Sequence, residues 1–117
     1  LDDYPESKLN DAAVESIGIL RGKLGKKIYE TGILYMKLDE FESAKMTFQS
    51  VMDMYYDTEI IQLAYQGMVE ALAKNKEIDE AKGLLSKHEN ILVESGLYDD
   101  AAKTIEKMQK TILKASN

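Results

Sequence analysis

The 117 residues contain no cysteine. That excludes disulfides, thiolate zinc sites, thiol catalysis and a lipid-modified cysteine within this chain. Tryptophan is absent and proline occurs once, so there is no proline-rich linker between domains. No run approaches the ~20 apolar residues of a membrane span, which leaves no direct transmembrane segment. Positive charge is in the minority, with 15 Lys and Arg against 21 Asp and Glu and a net charge of -6. A net acidic chain argues against nucleic acid or an anionic bilayer as the main partner. No Gly-rich phosphate loop, nucleophile elbow or His-Glu zinc spacing occurs. Asp2-Asp3 and Asp99-Asp100 lack the spaced loop and glycine of a calcium motif. These absences point away from an enzyme and imply no cofactor and no metal. The chain is nonetheless 44% apolar, enough to bury one core.

The pattern that is present is helical, and strand alternation is nowhere sustained. Leu9, Ala13, Ile17, Leu20, Leu24, Ile28 and Tyr35 recur at steps of three and four, with Thr31 filling the gap. That marks one packing stripe of a long helix over residues 8–37, with Ser7 as its N-cap. A turn at Lys37-Leu38-Asp39 leads to a second helix over 40–54, with Phe41, Ala44, Phe48, Val51 and Met52 inward. Asp57-Thr58 offers a cap for a third helix over 59–74. Asn75-Lys76 ends it, and a fourth starts at Ile78 and carries Ala81, Leu84, Leu85, His88 and Leu92. Gly96 stops that helix, because glycine takes the left-handed conformation cheaply. A fifth follows over 98–114, with acids in its first turn and Lys110 and Lys114 in its last. Short connections make neighbouring helices antiparallel. The expectation is an all-α, antiparallel helix-pair solenoid of about five helices in a single domain.

An internal repeat supports this. The tetratricopeptide pattern fits the stretch from Ile28 to Tyr56, with Gly32 in the small slot, Tyr35 in the tyrosine slot and Ala44-x-x-x-Phe48 following. Tyr65, Ala81 and Leu85 form a second copy in register, 37 residues on. Tyr4-Pro5-Glu6-Ser7 echoes Tyr55-Tyr56-Asp57-Thr58, a tetrad that ends one repeat and caps the next helix. The chain also opens without an initiating Met, so it reads as a piece lacking earlier repeats. A secretory signal or lipid anchor would belong to the lost part.

Tyr4-Pro5-Glu6-Ser7, Asp11-Ala12 and Leu20-Arg21-Gly22-Lys23-Leu24-Gly25 carry a resemblance. So do Tyr29, Tyr35-Met36-Lys37, Phe41-Glu42-Ser43-Ala44 and Tyr55-Tyr56-Asp57-Thr58. Over residues 4–88 the chain resembles the BamD (ComL) family, the tetratricopeptide lipoproteins of the bacterial outer-membrane β-barrel assembly machinery. Residues 89–117 read as a C-terminal capping helix or extension. The resemblance implies a non-catalytic scaffold at the periplasmic face of the outer membrane. Its main partner would be the periplasmic POTRA region of BamA, beside other subunits of the complex. Membrane anchoring would come only through a missing N-terminal lipid. Two other readings stand: a generic tetratricopeptide adaptor that binds a peptide in its concave groove, and a self-associating envelope or collar protein.

Two residue sets are candidates for contact. In a helix pair of this type the first helix lines the concave side. Lys26, Tyr29, Ile33, Met36 and Lys37 lie there, offset from the packing stripe, and Gln66, Glu70 and Lys74 take equivalent places in the next repeat. Tyr29, Ile33 and Met36 are apolar residues spare to the core, so they either dock a partner segment or pack on a neighbouring repeat. Gly18, Gly22, Gly25 and Gly32 each cost a helix interior about 1 kcal/mol relative to Ala. Their spacing puts all four on one face, which makes either a close-packing groove for another helix or strand, or a bend or break near Gly22 to Gly25. His88, the only histidine, sits on an inward stripe and is expected to pack rather than to act.

Overall fold

The computed structural model describes residues 6–116. Six helices follow one another: α1 (Glu6–Lys37), α2 (Phe41–Met54), α3 (Ile61–Lys74), α4 (Ile78–Lys87), α5 (Glu89–Glu94) and α6 (Tyr98–Ser116). No strand occurs among the described residues, and the fold is all-α and repeat-built. Tyr4 and Pro5 of the first tetrad, and the Ser7 and Leu9 side chains, lie outside the described residues.

Three turns of one design set the topology. Asp39, Lys76 and Gly96 all take positive φ, at 57°, 68° and 75°. In each case the next residue's N–H reaches back five residues, from Glu40 to Tyr35, Glu77 to Leu72 and Leu97 to Leu92, all at 2.9 Å. The left-handed residue's own N–H bonds to Met36, Ala73 or Val93. This double bond satisfies the orphan carbonyls of a helix end and reverses the chain within three residues.

After each turn comes the same entry pattern: Phe41 then Ala44 and Phe48, Ile78 then Ala81 and Leu85, Tyr98 then Ala101 and Ile105. Ala44, Ala81 and Ala101 are all fully buried, since only a small side chain lets the two helices of a pair come together. α6 is therefore the second helix of a third pair, and α5 is that pair's first helix cut to six residues. This corrects the expected count of five. The pattern through Ala81, Leu85, His88 and Leu92 predicts one helix, but the chain breaks at His88, whose φ is -110°. There the imidazole stacks on Tyr65, with ring centres 3.7 Å apart and planes 9° from parallel. Because α5 is so short, α6 packs directly on α3 and α4, and Val69, Leu72, Ala81, Leu85, Leu92 and Ile105 share one core. α6 thereby covers the α3–α4 pair on this side.

The first pair is organised around Phe48, fully buried on α2. Its ring lies between Gly32 of α1 and Gly67 of α3. A Cβ on Gly32 would stand 2.5 Å from the ring, and one on Gly67 2.7 Å. Neither glycine is replaceable without moving a buried aromatic. Lys45 then ties the first pair to the second. Its Nζ donates to Glu77 at 2.6 Å and Glu42 at 3.1 Å, and the Asn75 amide donates to the same two carboxylates. The bond from Lys45, then that from Asn75, holds the Glu77 carboxyl below the usual range.

Candidate docking surface

α1 is 32 residues long, against 14 for α3. At 1.5 Å per residue it spans ~48 Å, so its N-terminal half overhangs the helix pairs. Every residue from 11 to 20 is exposed. The chain's principal-axis extents are accordingly 78 × 28 × 17 Å. Arg21 marks the point where α1 meets the body. Its guanidinium donates to the carbonyl of Met54 at the end of α2 and to Asp57 Oδ1, the latter at 2.8 Å. It also lies over the Tyr55 ring, 5.3 Å from the centroid. Asp57 raises the guanidinium's pKa, and Arg21 holds the Asp57 carboxyl below its ordinary value. Asp57 and Thr58 thus do not cap α3. Thr58 instead donates to the Tyr55 carbonyl at 2.7 Å, and no side chain caps α3.

The face of α1 that packs is not the one its large apolar residues predict. Gly25, Tyr29, Gly32 and Met36 point at α2 and α3, roughly a third of a turn from the stripe through Ile17, Leu20 and Leu24. Those three stay 57%, 57% and 43% exposed. The expectation that Tyr29, Ile33 and Met36 are spare to the core is corrected accordingly. All three pack against the cluster of Ala44, Phe48 and Ala71, and the Tyr29 and Phe48 rings lie 5.7 Å apart.

The four glycines divide in two. Gly25 and Gly32 are filled from within: a Cβ on Gly25 would meet Tyr55 at 3.1 Å and Ile60 at 3.2 Å, and Gly32 seats Phe48. They are not part of an open groove, which corrects that expectation for both. Gly18 and Gly22 have nothing within 4 Å of a Cβ. They help form a groove of ≈ 710 Å³ between the α1 overhang and the start of α3, with Ile19, Lys23, Ile60 and Leu63 among its walls. Lys26 lines it too. α1 runs unbroken through Gly22 and Gly25, so the alternative of a break there does not hold.

The candidate set on the concave side is brought together in part. Lys37 and Lys74 are exposed, while Gln66 and Glu70 are half-buried. The Gln66 amide donates to the Leu97 carbonyl at 3.4 Å, tying α3 to the turn before α6. Glu70 comes close enough to Tyr29 that burial, then the carboxylate's field, raises the phenol's pKa. Burial also pushes the Glu70 carboxyl up; Lys74 opposes this and Asp100 of α6 adds to it. Glu70 of α3 thus lies within electrostatic reach of Tyr29 of α1 and of Asp100 of α6. The sequence pattern gives no sign of Asp100 there, because that proximity depends on α5 being short.

Among the described residues no group of three or more His, Asp or Glu is placed to hold a metal ion. No helix among them is long and apolar enough to cross a membrane. A search of protein-family models finds none that matches the chain, and no curated protein matches it either.

Proposed function

We propose that this chain is a non-catalytic protein-docking scaffold of the outer-membrane β-barrel assembly machinery, of the BamD type. It acts at the periplasmic face of the outer membrane and holds the POTRA region of BamA. The observation that carries the reading is the outer stripe of α1. Ile17, Leu20 and Leu24 are large, apolar and exposed on a helix that Arg21 fixes to the body. Exposed apolar side chains in one row, held in place by a rigid repeat frame, form the kind of surface that another protein covers. The resemblance over residues 4–88 supplies the partner's identity.

The test is a titration of the purified chain against the POTRA region of the same organism's BamA. Saturable one-to-one binding is expected, weakened at least tenfold by Leu20→Asp. Leu113→Asp, at an equally exposed position on α6, should leave it unchanged. No binding at high micromolar concentration by the folded chain would refute the proposal and favour a peptide-binding adaptor.

A further inference from the structure

The groove over Gly18 and Gly22 lies on a different face of α1 from the stripe assigned to the assembly partner, and its occupant is a separate question. We infer that a second copy of this chain fills it. The two α1 overhangs cross antiparallel about a two-fold axis at Ile19.

Charge is the first argument. Glu15 and Lys23 stand four residues before and after Ile19, and both line the groove. Both are exposed, and neither makes an ion pair among the described residues. A two-fold axis at Ile19 brings Glu15 of each copy opposite Lys23 of the other. The next charge out, Lys26, also lines the groove and falls opposite Ala12, so it meets no like charge. Both pairs formed by this operation are of opposite sign. A parallel arrangement would set Glu15 on Glu15 and Lys23 on Lys23, so the charge pattern also fixes direction.

Shape is the second. The same helix seats Phe48 at Gly32, and Tyr55 with Ile60 at Gly25. At Gly18 and Gly22 the backbone is equally bare, with no filler among the described residues. Ile19, 57% exposed beside them, is a side chain of suitable size to enter the notch on the other copy. An antiparallel crossing also separates the two bodies, because each leaves along its own helix in opposite directions. The N-terminal part of each overhang then runs toward Ile60 and Leu63 of the other copy. The contact is isologous and closes as a dimer.

The experiment is sedimentation equilibrium of the full chain at concentrations from about 10 µM to about 1 mM. The mass should rise from 13.2 kDa toward twice that value. Two ion pairs are reversed at once by either single change, so Glu15→Lys and Lys23→Glu should each raise the dissociation constant about tenfold. The double variant restores both pairs with the charges exchanged and should return close to wild type. Ile19→Asp should give a monomer with unchanged helical circular dichroism. A wild-type chain that stays monomeric throughout overturns the inference. So does a double variant weaker than either single one. So does a dimer indifferent to both reversals but lost in Leu20→Asp, which would place the contact on the outer stripe. None of these outcomes depends on whether BamA binds.

Discussion

The same substitution, glycine to alanine, should change sign along a single helix. Alanine in a helix interior is favoured over glycine by about 1 kcal/mol. At Gly18 and Gly22 nothing opposes that gain, because no atom lies within 4 Å of the new methyl. Both variants should be stabilised by up to ~1 kcal/mol. At Gly32 the methyl would sit 2.5 Å from the Phe48 ring, which is itself fully buried. Phe48 has little room to retreat, because its ring also lies close against Gly67, where an added Cβ would stand 2.7 Å away. Overpacking of this kind costs about 1–3 kcal/mol, and it exceeds the propensity gain. Gly32→Ala should therefore lose a net ~1–2 kcal/mol, and Gly67→Ala a similar amount. Gly25→Ala, at 3.1–3.2 Å from Tyr55 and Ile60, should fall between the two groups. Urea denaturation followed by circular dichroism measures all of these, at low protein concentration so that association does not contribute. For a chain of this size 1 kcal/mol corresponds to roughly 3–6 °C in Tm. If Gly32→Ala proved as stable as Gly18→Ala, the seating of Phe48 between two glycines would be wrong. The packed face of α1 would then have to be reassigned.

Two further outcomes follow from the turns and the half-buried carboxyl. Lys76 holds a left-handed φ of 68°, which costs a non-glycine residue roughly 1 kcal/mol; Lys76→Gly should stabilise the chain by ~0.5–1 kcal/mol in the same assay. Burial raises the Glu70 pKa above its ordinary 4.5, so in the window just above 4.5 the folded state keeps a proton the unfolded state has lost. Its contribution is most favourable below 4.5 and declines as pH rises through the folded value. Thermal melts across that window should show a decline that Glu70→Gln removes, and an unchanged slope in the variant would contradict the half-buried placement beside Tyr29, Lys74 and Asp100.

Much of the architecture is legible in the chain itself, because local signals govern it. Apart from the break at His88, the predicted starts and stops fall within two residues of the observed helix ends, since each turn is set by a few residues and their hydrogen bonds. Ala44 with Phe48 and Ala81 with Leu85 can be placed in the core from spacing alone. The third copy, Ala101 with Ile105, carries the same pattern, but its partner helix is too short to read as a repeat. The break at His88 has no local punctuation either: it coincides with a ring stack on Tyr65, which is 23 residues away in sequence.

What the sequence determines by itself is a set of helices, their order and their antiparallel pairing, because periodicity and turn chemistry act over a few residues. Which side of α1 faces inward is a tertiary decision. Hydrophobicity favours Ile17, Leu20 and Leu24 as the buried stripe, yet the body extends only as far as Arg21 along the helix and approaches it over glycines. A glycine has no side chain to announce that it is a contact; only the ring of Phe48, arriving from another helix, shows that the space was needed. The exposed stripe and the open notch at Gly18 and Gly22 are the remainder of that choice, and both proposed contacts rest on them.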